Sequence, residues 1–143
     1  MRREVKVTIR NTSRAERGFA QEAPIVYTVP GALESAGEEY LLRLEEPAEN
    51  GMAGVFTSYA VYPGRVELRR SGALTMALTF APDTLSETMY TLGEGSIRLA
   101  VRTDSLRTKL GARGGLIELR YRLWLDGVPA GEKQVKLRIE TME

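Results

Sequence analysis

Four polar or charged residues are candidates for binding chemistry, because each shares the parity of a run of apolar residues: Glu46, Arg70, Thr103 and Tyr121. Successive residues of a β-strand point to opposite faces, so all four are predicted to point inward. A guanidinium binds a carboxylate or phosphate through paired, charge-assisted hydrogen bonds. A buried arginine without a partner is costly, so Arg70 requires an internal carboxylate, a water-filled lumen or an anionic ligand.

Two interpretations of these residues stay open. In the first, Arg70 pairs with Glu46, and the four residues form a latch that closes one end of a filled structure. In the second, Arg70 receives the acid group of a small, partly apolar ligand, and Glu46, Thr103 and Tyr121 share the binding site. A packed interior with an Arg70–Glu46 pair is expected for the latch, and a cavity of more than ~300 Å³ is expected for the ligand site.

Composition excludes catalysis that depends on cysteine or histidine. The 143 residues contain no cysteine and no histidine, so disulfides, thiolate or imidazole metal sites and Ser-His or Cys-His nucleophile pairs are absent. The sequence Gly93-Glu94-Gly95 lies between two predicted strands and does not open a helix, so it predicts no dinucleotide site. We therefore predict no catalytic residue, no metal and no cofactor; an enzyme that uses Glu46 and Tyr121 is the least favoured alternative.

The elements that position these residues are predicted to be short strands. Between residues 116 and 126, apolar and charged residues alternate strictly, and the same period of two recurs along the chain. The pattern predicts ten strands, near 3–12, 23–30, 38–46, 54–62, 65–70, 73–81, 86–92, 96–103, 116–126 and 132–141. Residues 105–112 are predicted as a helical turn or a further strand, and residues 11–22 and 46–54 as solvated loops.

Turn sequences separate these strands at hairpin distances, among them Pro30-Gly31, Asn50-Gly51 and Asp126-Gly127. Short connections and one apolar face per strand favour a single all-β domain over residues 1–143, an antiparallel up-and-down β-barrel of about 8 to 10 strands. A two-sheet sandwich is the structural alternative.

Charge gives little indication of a polyanionic partner, since 20 basic and 19 acidic residues leave a net charge of +1. Basic residues do recur on the outward parity of several strands, and glutamates interrupt them. We interpret these rows as a solvated sheet with cross-strand ion pairs, which makes nucleic-acid binding the less favoured function. The residues of the rows are Lys6, Arg10, Arg98, Arg102, Arg120, Arg122, Lys136 and Arg138.

Trp124 follows the outward parity of its strand, and an exposed tryptophan often marks a contact. It is predicted to pack under the 11–22 loop, with a homodimer interface or a partner site as alternatives. Neither a signal peptide nor a membrane-spanning segment is predicted, and the absence of cysteine fits a cytoplasmic location.

The chain resembles a known family in several motifs, strongest over residues 65–125. They comprise Tyr40-Leu41 followed by Glu45-Glu46, then Arg70-Ser71-Gly72-Ala73 with Met76 and Phe80, then Tyr90, Gly95 and Thr103, and finally Tyr121 within Leu119–Leu123. In their order and spacing these motifs resemble the YwiB-like family of small bacterial proteins. The resemblance implies a calycin-type, lipocalin-like barrel and a bacterial cytoplasmic setting. The Gly-x-Trp motif of true lipocalins is absent, so lipocalin-style transport is not implied.

The functional prediction is a non-catalytic barrel whose lumen holds a small, partly apolar and anionic ligand near Arg70. The alternative is a structural or interaction module with a filled interior, which would act through its surface at Trp124 or at the basic rows.

Overall fold

The computed structural model describes residues 2–14, 24–46 and 54–142, and these residues form ten β-strands. No helix among them is long and apolar enough to cross a membrane. The strands are β1 (Arg2–Arg14), β2 (Ile25–Ala36), β3 (Glu39–Glu45), β4 (Val55–Tyr62), β5 (Arg65–Gly72), β6 (Leu74–Phe80), β7 (Leu85–Leu92), β8 (Gly95–Gly111), β9 (Gly114–Leu125) and β10 (Val128–Thr141).

The strands form a closed antiparallel barrel in chain order. Each strand pairs with its neighbours in sequence, and β1 closes the barrel by pairing with both β2 and β10. Val7, for example, lies opposite Val29 on one side and Ile139 on the other. The predicted up-and-down barrel is therefore confirmed, and the sandwich alternative is wrong. Closure leaves no open edge at the ends of the strand order.

The inward faces of the strands fill one end of the barrel with apolar side chains. Six residues at this end have no exposed surface: Val5, Val7, Leu42, Val66, Ile117 and Leu137. They lie at inward positions of their strands and alternate with residues that are exposed or partly exposed. Burial of this apolar surface is the main stabilising contribution to such a fold. The same strands leave space between them at the opposite end.

Strand β2 is longer than predicted, because Pro30-Gly31 is not a turn. Pro30 lies within β2, opposite Lys6, and its ring is exposed on the outer face of the barrel. Gly31 lets β3 approach closely, since a Cβ atom there would lie 2.6 Å from the carbonyl oxygen of Arg43. The chain turns instead at Gly37, which has a φ of 65°. The predicted Asn50-Gly51 turn lies outside the described residues.

Strand β8 continues past its predicted end at residue 103. The pairing register between β8 and β9 shifts between Thr103 and Ser105, so Asp104 forms a bulge. The bulge reverses the parity of the remainder of β8, and Leu106 and Leu110 pack against the core. Residues 105–111 are thus strand, which is the second of the two predicted alternatives.

Strands β6 and β7 separate over part of their length. Their backbone pairing covers Leu74 with Leu92 and Thr75 with Thr91. Further along, two β7 hydroxyls accept hydrogen bonds from β6 amides: Ser86 Oγ from Thr79 N at 3.0 Å, and Thr88 Oγ1 from Ala77 N at 3.1 Å. We call this stretch, residues 77–79 and 86–88, the seam. Side chains there replace part of the backbone ladder.

Candidate functional site

A cavity of about 390 Å³ occupies the barrel lumen at the end opposite the packed core. It lies where β1, β3, β5, β7 and β9 end, as Asn11, Arg70 and Leu125 show by their places near the ends of their strands. Its volume falls within the range typical of small-molecule sites. The wall consists of Ile9, Asn11, Tyr27, Tyr59, Leu68, Arg70, Met76, Leu78, Phe80, Tyr90, Ile97, Leu99, Val101, Leu119, Tyr121, Leu123, Leu125, Lys133 and Val135.

Arg70 is the cation in the β5 wall of this cavity. Its Nε donates to Thr57 Oγ1 at 3.4 Å, and its Nη1 lies 3.9 Å from Met76 Sδ. Both acceptors are weak for a guanidinium, which has five N–H donors in a planar fork. Within residues 2–14, 24–46 and 54–142, no carboxylate lies within ion-pairing distance of Arg70. Part of its donor capacity is therefore directed to the lumen without a protein partner among those residues.

Four tyrosines line the cavity: Tyr27, Tyr59, Tyr90 and Tyr121. The charge of Arg70 affects the pKa values of all of them except Tyr90. Burial raises the pKa of Tyr121 to about 12 and raises the pKa of Tyr59 well above its usual range; the charge of Arg70 lowers both pKa values only in part. The pKa of Tyr27 is also raised, mainly by burial and also by the charge of Glu46. These three phenols consequently stay neutral at physiological pH, and each keeps an O–H group that can donate.

The hydroxyl groups of these tyrosines make no hydrogen bond to a side chain or backbone group of the described residues. Tyr59 is only 4% exposed, yet neither its hydroxyl nor that of Tyr27, Tyr90 or Tyr121 hydrogen-bonds another described residue. Buried polar groups are usually hydrogen-bonded, so such a set of donors facing a cavity is expected to bind water or a ligand. Phe80 and Tyr121 form a tilted ring pair with centroids 5.0 Å apart in the same wall.

Two acceptor atoms add to this polar region. Asn11 Oδ1 and Glu46 Oε2 are both buried, and neither has a hydrogen-bond partner within the described part of the chain. Asn11 lines the cavity, while Glu46 follows the end of β3 and raises the pKa values of Tyr27 and Tyr59. Donors and acceptors are thus both available at this end of the barrel.

Of the four site residues predicted from sequence, two line the cavity and two do not. Arg70 and Tyr121 both line the cavity. Glu46 is close to the tyrosines but is not among the lining residues, and it does not form the ion pair with Arg70 that a latch requires. Thr103 has no exposed surface and does not line the cavity; its Oγ1 has no partner among the described residues.

Sequence reasoning missed Asn11, Tyr27, Tyr59 and Lys133, which line the same cavity. Each lies on the inward parity of its strand, two residues from a buried apolar neighbour such as Ile9 or Val135. The parity argument that selected Arg70 would have selected them as well. The described residues contain no group of three or more metal-ligating side chains.

The outer surface shows ordinary sheet chemistry at the predicted basic rows. Cross-strand and near-neighbour ion pairs of 3.3 to 3.9 Å neutralise several of their members. The pairs are Arg102–Asp83, Arg122–Asp104, Arg122–Glu132, Lys136–Glu118 and Arg138–Glu140.

Trp124 lies on the outer face in a concavity of about 520 Å³, together with Leu85 and Ala100. Leu85 and Met89 of β7, which β8 separates from β9, are 57% and 53% exposed. Beyond Arg14, the loop under which Trp124 was predicted to pack lies outside the described residues.

Fold and cavity together define a closed ten-stranded antiparallel barrel with a partly hollow lumen. A model of the family described as "Domain of unknown function (DUF1934)" matches residues 7–137, so the chain belongs to that family. The chain is similar in structure to the ywiB protein of Bacillus subtilis, whose crystal structure has 20% sequence identity and a TM-score of 0.85. That similarity covers 99% of this chain and 94% of the other. The predicted YwiB-like family is confirmed, and the similarity extends to the fold. The comparison with curated proteins gives no match.

Proposed function

We propose that this barrel binds a small, partly apolar anion in its lumen and that Arg70 holds the acid group. One observation carries the proposal: Arg70 lies in the wall of a 390 Å³ cavity and has no carboxylate partner among the described residues. A guanidinium partly withdrawn from water is stabilised by an anion that it can bind through two hydrogen bonds. The apolar residues of the wall would accept the rest of the ligand.

The neighbouring groups support the same assignment. Neutral phenols at Tyr27, Tyr59 and Tyr121 can donate hydrogen bonds to an acid group held at Arg70, because burial keeps their pKa values high. The resemblance to the YwiB-like family is consistent with a calycin-type barrel in a bacterial cell, and the cysteine-free composition is consistent with action in the cytoplasm. We propose no catalytic role, cofactor or metal for this site.

A second candidate function is an interaction module that acts through its outer face. The observation that favours it is the half-buried Trp124, which shares a surface concavity with the exposed Leu85; Met89 of the same strand as Leu85 is also exposed. Such apolar side chains are typical anchors of a homodimer or of a protein partner. The sequence prediction combined this alternative with a filled barrel interior. The cavity of about 390 Å³ in the lumen does not fit that part of the alternative.

Substitution Arg70→Leu separates a ligand-binding residue from a latch. If Arg70 binds the anion, the variant loses no more than about 1–2 kcal/mol of unfolding free energy, the contribution expected of its hydrogen bond to Thr57. Its affinity for a small carboxylate such as adamantane-1-carboxylate falls about 10- to 100-fold, as expected for loss of charged hydrogen bonds. Urea unfolding and isothermal titration calorimetry give the two values.

The matched control is Arg69→Leu, which removes the same charge from the outward face of the same strand. It is expected to change neither value appreciably. A loss of several kcal/mol of stability in Arg70→Leu, with no binding of carboxylates by the wild-type protein, would show that Arg70 is a latch.

A further inference from the structure

Most polar groups of the cavity lie on one side of the barrel. Five of the ten strands, β10, β1, β2, β4 and β5, contribute Lys133, Asn11, Tyr27, Tyr59 and Arg70. In the closed strand order these strands lie on one continuous arc, completed by β3, whose end leads to Glu46. We call the five lining residues the polar crescent.

The opposite arc, β6 to β9, presents an apolar wall. Most of its lining residues are aliphatic or thioether side chains, among them Met76, Leu78, Ile97, Leu99, Leu123 and Leu125. This wall reaches the open end of the barrel, since Leu125 is 37% exposed. Tyr90 and Tyr121 are the polar-tipped exceptions among the residues that line this arc. Tyr121 lies close enough to Arg70 for the charge of Arg70 to offset part of the rise in its pKa that burial causes. Polarity in the lumen therefore changes from one side to the other.

On the side of the polar crescent, the cavity extends only a short distance towards the packed end of the barrel. Below Arg70 on β5 the cavity wall continues with Leu68, and the next inward residue, Val66, has no exposed surface and belongs to the packed end. One inward step of a strand is about 7 Å. On β9, by contrast, the lining residues run from Leu119 to Leu125, a strand length of about 20 Å. The apolar space thus lies beside and across from Arg70 more than below it.

From this arrangement we infer that the ligand is a compact, ring-built acid, broad rather than long. Its acid group and any hydroxyl face the polar crescent, and its apolar bulk faces the β6–β9 wall. A straight alkyl chain with its carboxylate at Arg70 matches this shape poorly, because the wall below Arg70 is only one inward step deep and a narrow chain leaves much of the β6–β9 wall uncovered. The inference rests on the proposed function, whose subject is the acid group, and adds the shape of the ligand.

Two carboxylates with eleven carbons each test the shape: adamantane-1-carboxylate, a rigid cage, and undecanoate, a straight chain. They have the same charge and the same acid group, and the straight chain exposes more apolar surface to water. Titration calorimetry with the full-length protein is expected to give a dissociation constant about tenfold lower for the cage, a difference of ~1.4 kcal/mol. Without a restriction on shape, the straight chain would bind more tightly.

A pair of hydroxyl deletions tests the placement of the polar crescent. Tyr59→Phe removes a donor from the crescent and is expected to weaken binding of adamantane-1-carboxylate three- to tenfold, the effect of about one neutral hydrogen bond. Tyr90→Phe removes the same group from the apolar arc and is expected to change affinity less than about twofold.

The outcomes distinguish the two proposals. Equal or tighter binding of undecanoate, with affinity still dependent on Arg70, would overturn the ligand shape and leave the proposed function in place. Binding of neither acid would overturn both. Equal effects of Tyr59→Phe and Tyr90→Phe would contradict the one-sided arrangement of the polar groups.

Discussion

Thr103 shows how far strand parity can identify a binding residue. Parity predicts its inward direction correctly, and it is fully buried, yet it does not line the cavity. Parity gives the direction of a side chain but not its height along the barrel axis, because height depends on strand tilt and stagger. Arg70 and Tyr121 line the hollow end, whereas Thr103 does not, although it lies directly opposite Tyr121 in the pairing of β8 with β9. Inward polar residues therefore divide into lining and buried groups that sequence alone does not separate.

Replacement of Thr103 by valine is expected to leave the free energy of unfolding unchanged or to raise it by up to ~1 kcal/mol. Its buried Oγ1 has no hydrogen-bond partner among the described residues, so the hydroxyl contributes a desolvation cost without a compensating bond. Urea unfolding measures the difference.

Thr57→Val is the matched control, since Thr57 is equally buried but accepts a hydrogen bond from Arg70 Nε. This control is expected to lose ~1–2 kcal/mol. A comparable loss in Thr103→Val would mean that the Thr103 hydroxyl also has a stabilising partner.

Among the strands, the seam between β6 and β7 is the part of the barrel where side chains replace the backbone ladder. Ser86 Oγ and Thr88 Oγ1 accept the amide hydrogens of Thr79 and Ala77. The alternation pattern places β6 at 73–81 and β7 at 86–92, close to their observed bounds. It could not reveal the seam, because hydroxyl residues are also common in regularly paired strands.

Substitution Ser86→Ala is expected to increase the hydrogen-exchange rate of the Thr79 amide, which would lose its acceptor. Exchange monitored by NMR reports this amide individually. Ser96→Ala is the control, since the Ser96 hydroxyl pairs with that of Thr91 at an exposed position. Unchanged protection of the Thr79 amide in Ser86→Ala would contradict the side-chain ladder.

Other local features of the strands depend on geometry that composition does not encode. The bulge at Asp104 extends β8 by reversing its parity, and no residue type at that point marks it in advance. Pro30-Gly31 has the composition of a turn, but close approach of β3 requires glycine there within a continuous strand. Turn composition is a weaker signal than the alternation around it, which continues through Gly31 to Leu33.

For the molecule as a whole, alternation and short connections were sufficient to predict the closed up-and-down barrel. The division of that barrel into a packed end and a hollow end was not predictable, since both ends have inward rows of similar apolar residues. Which polar residues share a wall depends on the closed order of the strands, in which β10, β1 and β2 are neighbours. The polar crescent is therefore a property of the assembled barrel and not of any one strand.

The anion held at Arg70 is the feature on which the functional account depends, and native mass spectrometry of protein purified from its own host tests it directly. The wild-type chain is expected to retain a small acidic molecule, and Arg70→Leu is expected to give the bare mass. Wild-type protein loaded with adamantane-1-carboxylate serves as the control that the conditions preserve a complex. If that control succeeds while the wild-type protein and Arg70→Leu carry the same molecule, or neither carries any, the assignment of Arg70 as the anion-binding residue is contradicted.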